Sequence, residues 1–98
     1  MLDILYLPSA IDDSLEIEDY LNLHSPTAAD TFIDDLEERG TALTKHPYMY
    51  PVYEDDSFFR RMIFGDYVAF YSVDEKRNLI IIHRIFHHSR DIKPNMLG

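Results

Sequence analysis

The chain has 98 residues, room for one domain and not two, and is expected to fold as a single unit over 1–98 with one two-layered core. Hydrophobic residues make up 46% and aromatic residues 13%, with three glycines and five prolines, a composition that excludes a disordered tail. The absence of cysteine rules out disulfides and thiolate zinc sites, and 18 acidic against 9 basic residues, a formal charge of -9, disfavour general binding to phosphate backbones.

The charge is uneven. Acid dominates the N-terminal half, while Arg60, Arg61, Lys76, Arg77, Arg84, Arg90 and Lys93 lie toward the C-terminus, so a local basic patch remains open. The segment from Met1 to Leu7 carries Asp3 and no basic run, and no stretch approaches the roughly 18 apolar residues that span a bilayer. Neither secretion nor membrane contact is expected, and the cytoplasm is the expected compartment.

Residues 2–7 (LDILYL) are short, apolar and closed by Pro8, which predicts a first strand. Ala10, Ser14, Ile17 and Leu21 then recur at helical spacing and predict a first helix over 9–23. Ser25-Pro26 supplies an N-cap and a proline at the first helical position. Behind it, Ala29, Phe32, Ile33, Leu36, Gly40 and Leu43 form one apolar stripe that should stop at His46-Pro47. The short connection makes the two helices an antiparallel hairpin. The stretch 47–57 (PYMYPVYEDDS) has no period and is expected to be a loop whose tyrosines pack down. Three β-rich runs follow, at 58–64, 67–73 and 79–86, joined by Gly65-Asp66, which suits a type II′ turn, and by a polar loop over 74–78. The expected fold is α+β in the order β-α-α-β-β-β, a two-helix hairpin on one face of a small antiparallel sheet, with the other face open for function.

Particular residues narrow the choice. Ala10, Asp13, Ile17, Tyr20 and Leu21 fit the pattern "A..DL..I..YI" with Ser14 in place of its leucine; Pro26, Ala28-Ala29, Phe32-Ile33, Leu36, Leu43 and Pro47 fit "P.AA..FI..I......L...P". The run from Arg60 to Tyr71 fits "RR..VGDYV.FY", and Ile82 to Asp91 fits "I.RI.H..RD". Over residues 2–92 the chain resembles the RelE/ParE toxin superfamily of type II toxin–antitoxin systems, closer to its ParE branch.

The resemblance implies a growth-inhibiting toxin neutralised by a cognate antitoxin, with no cofactor and no metal. RelE-type members are ribosome-dependent endoribonucleases that cut mRNA. ParE-type members poison DNA gyrase by binding it and break no bond themselves. Ribonuclease members carry arginine three residues before the second tyrosine of the middle strand, where this chain has Val68. Glu54, Asp55 and Asp56 also stand where such members place lysines. The gyrase-directed reading is therefore preferred, with the ribosome and mRNA as the alternative target. For that alternative the candidate catalytic residues are Arg60, Arg61, Arg84, His87, His88 and Arg90.

Each candidate also has a structural reading. His83, His87 and His88 do not converge on a metal, since strand positions four apart are separated by about 13 Å and neighbours alternate faces. His87 closes the last strand, and His83 is expected to be a satisfied, partly buried polar group. Arg60 and Arg84 are expected to pair with acids such as Asp91, and the acidic residues of both helices, Asp13 among them, to be solvated. The aromatic set Phe58, Phe59, Tyr67, Phe70, Tyr71 and Phe86 is read as core. Ile11, Leu15 and Leu23 lie off the stripe of the first helix. They are the candidate antitoxin-binding residues, with a second toxin copy (a homodimer) or burial under the 48–53 loop as alternatives.

Overall fold

A computed structural model describes residues 1–97. Strand β1 (Asp3–Tyr6) ends where Pro8 removes a donor, and helix α1 (Pro8–His24) begins there with that proline at its first position, where a missing N–H costs nothing. Ser25 alone separates α1 from α2 (Pro26–Lys45). It serves both helices: its N–H donates to the Leu21 carbonyl, and its hydroxyl accepts from the Ala28 N–H at 3.3 Å. The α2 stripe is buried as expected at Ala29, Phe32, Leu36, Gly40 and Leu43, and α2 stops two residues before Pro47.

The chain then forms β2 (Val52–Tyr53), β3 (Asp56–Phe64), β4 (Tyr67–Asp74) and β5 (Leu79–His87). The sheet has five strands in the order β1-β5-β4-β3-β2. The 47–57 stretch is thus not all loop. Its Val52 and Tyr53 pair antiparallel with β3 across a register shift, and that irregularity hides the strand from a period-two reading. Nor is the sheet wholly antiparallel, because β1 lies parallel to β5 from Asp3↔Leu79 to Tyr6↔Ile82. Gly65 takes φ +54° at the first position of the β3–β4 turn, as a type II′ turn requires.

On the helix side the sheet and hairpin enclose Ala10, Phe32, Leu36, Leu43, Met62, Phe64, Ala69, Tyr71, Ile80, Ile82 and Ile85. The far face, expected to be open, is covered. Tyr53, Phe59, Val68, Phe70, Phe86 and Leu97 form a second apolar cluster there, with Ile92 and Met96 against it. The covering segment runs from Asp91 through a single 3-10 turn at Pro94–Met96 to Leu97. It is tied down by two carbonyls: Ile92 accepts from the Tyr53 hydroxyl at 3.2 Å and Met96 from Arg84 Nη1 at 2.8 Å. Burial at about 25 cal/mol per Å² of apolar surface is reason enough for these side chains to cover Val68, Phe70 and Phe86.

Two aromatic expectations change. Phe58 is 65% exposed because it precedes the β3–β4 pairing, which begins at Arg60, and falls within the irregular stretch of β3 opposite β2. Of the loop tyrosines, Tyr50 packs edge-on against Tyr71 and Tyr53 is buried, but Tyr48 stays exposed with its hydroxyl donating to Glu75. Among the described residues, no helix is long and apolar enough to cross a membrane.

Candidate functional site

The chemistry-bearing side chains gather around β5, and two irregularities of that strand decide where each one points. The first is a bulge: Phe70 faces Arg84 and Tyr71 faces Ile82, so His83 opposes no residue of β4. Beyond it Arg84 and Phe86 share the far face with Phe70 and Val68, while Ile85 and His87 share the helix side with Ala69 and Tyr67. The second is that β1 ends opposite Ile82, leaving the rest of the β5 edge without a partner strand. Helix α1 takes over. The Ser9 hydroxyl donates to the His83 carbonyl at 2.8 Å, and an Asp13 carboxylate oxygen accepts the Ile85 N–H at 2.9 Å.

Asp13 therefore is not solvated. Its side chain is 12% exposed and holds Arg84 through two bonds, 2.7 Å to Nε and 3.0 Å to Nη2, which raises the arginine pKa further. Asp91, the expected partner of Arg84, instead lies 3.6 Å from Lys93. Arg60 pairs with no acid among the described residues either. Its guanidinium lies over the Tyr48 ring and donates to the Tyr50 carbonyl at 2.7 Å, pinning the segment before β2. Residue type alone does not distinguish Asp13 from Asp12; the one sequence signal for its role is its place in the "A..D" pattern.

The six candidate catalytic residues are divided by the sheet. Arg61 faces Phe70 on the far side, over the Tyr53 ring, with its buried Nε lacking a partner. Arg84 and Arg90 both lie over the Phe86 ring, at 4.7 and 4.9 Å. Arg60 and His87 fall on the helix side, and His88 sits in the turn beyond, 3.7 Å from Asp66. His87 Nδ1 is engaged by the Ser89 hydroxyl at 2.6 Å and the Ser89 N–H at 3.2 Å. His83 is half-buried, 2.7 Å from the Ser72 hydroxyl and edge-on to Phe59, and burial pushes its pKa down. Tyr71 donates its hydroxyl to the Pro47 carbonyl at 2.8 Å, and burial pushes its pKa up to about 12. Val68, in the position at which the resemblance places a phosphate-holding arginine, is 1% exposed.

Away from the sheet, α1 presents apolar side chains to solvent: Ile11 is 45% exposed, Leu15 51%, Tyr20 62% and Leu23 83%. The 48–53 loop does not bury them. Beside this surface an open groove of about 650 Å³ runs between α1 and the end of β5, floored by Ile17, Leu21, Tyr67 and Phe86, and His87 and Arg90 both line it. Through Leu21, Asp66 and Tyr67 it continues to a second groove against the start of α2.

Two helices on a mixed five-stranded sheet, in the expected order β-α-α-β-β-β with the two-residue β2 added before β3, define the RelE/ParE fold. Residues 4–92 match the ParE toxins of the type II toxin–antitoxin system parDE, and the chain belongs to that family. Among solved structures, a chain of the chromosomal ParDE system of P. aeruginosa is similar with TM-score 0.72 and 21% identity, covering 89% of this chain and 96% of that one. A chain of the RelBE2 toxin–antitoxin complex of Mycobacterium tuberculosis is similar with TM-score 0.63 and 16% identity, covering 88% and 96%. No curated protein sequence matches the chain.

Proposed function

We propose that this toxin arrests growth by binding and poisoning DNA gyrase, and that a cognate antitoxin docked on α1 at Ile11, Leu15 and Leu23 neutralises it in the cytoplasm. The observation that carries the choice of target is the division of the ionisable side chains by the sheet. Cleaving RNA next to a 2′-hydroxyl needs a base, a phosphate-neutralising cation and a leaving-group donor within hydrogen-bond reach of one phosphate. Here His87 lies on the helix side while Arg61 and Arg84 lie on the far side, and of the arginines only Arg90 reaches the groove that His87 also lines. Of those cations, Arg84 is already matched by Asp13, and the chain's own Leu97 fills the face beside them. A binding poison needs none of these groups to converge.

The test is direct. Purified chain added to gyrase and relaxed plasmid should block supercoiling or trap cleaved DNA. Full supercoiling at a large molar excess of folded toxin would remove the gyrase reading and leave the ribosome-bound mRNA as target.

A further inference from the structure

We infer that the partner seated on α1 is a cationic amphipathic segment, with apolar anchors flanked by lysine or arginine, and not a second copy of this chain. The inference rests on the toxin reading, since the antitoxin is the protein to which that segment belongs. Ile11, Leu15 and Leu23 stand at spacings of four and eight along one i+4 ridge of the helix, about 18 Å long at 1.5 Å per residue, with Asp19 on the same ridge between Leu15 and Leu23. All are exposed although α1 buries only Ala10 fully. A large apolar row on the outer side of a helix that already has its core contacts marks a contact for something else.

The charge around the ridge selects the occupant. Asp19 is exposed on it and Asp12 and Glu16 beside it, and of the acids on α1 only Asp13 is ion-paired among the described residues. The sole basic side chain of α1 is His24. The ridge leads over Tyr20 to the groove floored by Leu21 and Phe86, whose lining carries Glu16 and Asp66 against the single cation Arg90, Asp13 being taken up by Arg84. A second copy of the chain would set these carboxylates against themselves and add its own charge of -9 to the complex. A helix at least about 12 residues long, apolar on one side and basic along its flanks, satisfies both the ridge and its rim.

The probe is the protein encoded beside this chain's own gene, bound to the full-length toxin and followed by titration. Raising NaCl from about 0.1 to about 0.5 M should weaken the complex tenfold or more. Leu15→Ser and Leu23→Ser should each weaken it, and the charge reversal Asp12→Lys/Asp19→Lys should weaken it by about tenfold or more. These side chains are exposed, and a thermal melt by circular dichroism checks that every variant keeps the fold. Tighter binding by the reversed variant shows an acidic partner and overturns the inference. So do unchanged affinity of the leucine variants, salt-independent binding, or no complex with the neighbour. Growth arrest by the toxin alone is read separately. Arrest together with any of those results sinks only the partner's chemistry, whereas no arrest by folded protein sinks the toxin reading itself.

Discussion

Removing the Asp13 carboxylate should weaken the whole domain, because it joins α1 to β5 where no strand does. In Asp13→Ala, Arg84 loses two charge-assisted bonds at 2.7 and 3.0 Å and the Ile85 N–H loses its acceptor at 2.9 Å. Breaking a fully buried ion pair by deleting one partner costs about 3–5 kcal/mol. The Arg84 side chain is 26% exposed and keeps the Met96 carbonyl, which lowers that figure, while the orphaned N–H raises it by about 1 kcal/mol or more. The balance is about 3 kcal/mol, a large part of the roughly 5–15 kcal/mol that hold such a domain together. It corresponds to a fall in Tm of about 12–24 °C for a domain this small. Asp13→Asn keeps an acceptor for Ile85 and should cost roughly half. Urea denaturation of Asp13→Ala, Arg84→Met and the double variant should give a coupling of about 1–2 kcal/mol. A loss below about 0.5 kcal/mol for Asp13→Ala, or additive single variants, would show that the pair behaves as an ordinary surface ion pair and that the argument is mistaken.

Three further outcomes are expected. Burial holds the His83 pKa below its ordinary value, so the unfolded chain takes up this proton first. The stability that neutral His83 contributes is present above about pH 6.5 and is lost as pH falls toward the folded-state pKa. Denaturation at pH 7.5 and 5 in the wild type and in His83→Gln should show that loss shrinking in the variant, and an NMR titration placing the His83 pKa at or above 6.5 contradicts it. A Cβ on Gly40 would lie 2.7 Å from the Tyr6 hydroxyl, so Gly40→Ala should destabilise by about 1 kcal/mol instead of adding helix propensity. In a Tyr6→Phe background, where Ile4 Cδ1 at 3.2 Å is the remaining close neighbour, the cost of the same change should shrink, and equal melting shifts in the two backgrounds would refute the clash. Leu97 is 3% exposed, so Leu97→Ala should cost about 2 kcal/mol and increase binding of a hydrophobic dye at the far face; an unchanged melt and dye signal would mean the covering segment is not docked.

What could be read from the sequence was what local periodicity and punctuation encode. Ser25-Pro26 and Pro47 bracket α2, its stripe recurs at helical spacing, and Gly65-Asp66 marks the β3–β4 turn. What escaped depends on pairing at long range. Arg84 and Asp13 are 71 residues apart, and no local pattern links them. The bulge at His83 lies in a strand-forming run without a glycine or proline to mark it, so strict alternation assigns the faces beyond it wrongly. The parallel β1–β5 pairing and the two-residue β2 likewise arise only once the sheet is assembled. The candidate site divided in the same way. The exposure of Ile11, Leu15 and Leu23 was legible from the helical wheel, whereas the docking of the 91–97 segment over the far face was not.

The central proposal is that this chain binds its target and does not cut RNA, because the sheet keeps His87 apart from Arg61 and Arg84. Mapping mRNA 5′ ends in cells arrested by the toxin tests it most directly. No new codon-aligned ends are expected, and the arrest should persist in a folded His87→Ala variant. Codon-aligned ends that appear with the wild type and vanish with His87→Ala would contradict it.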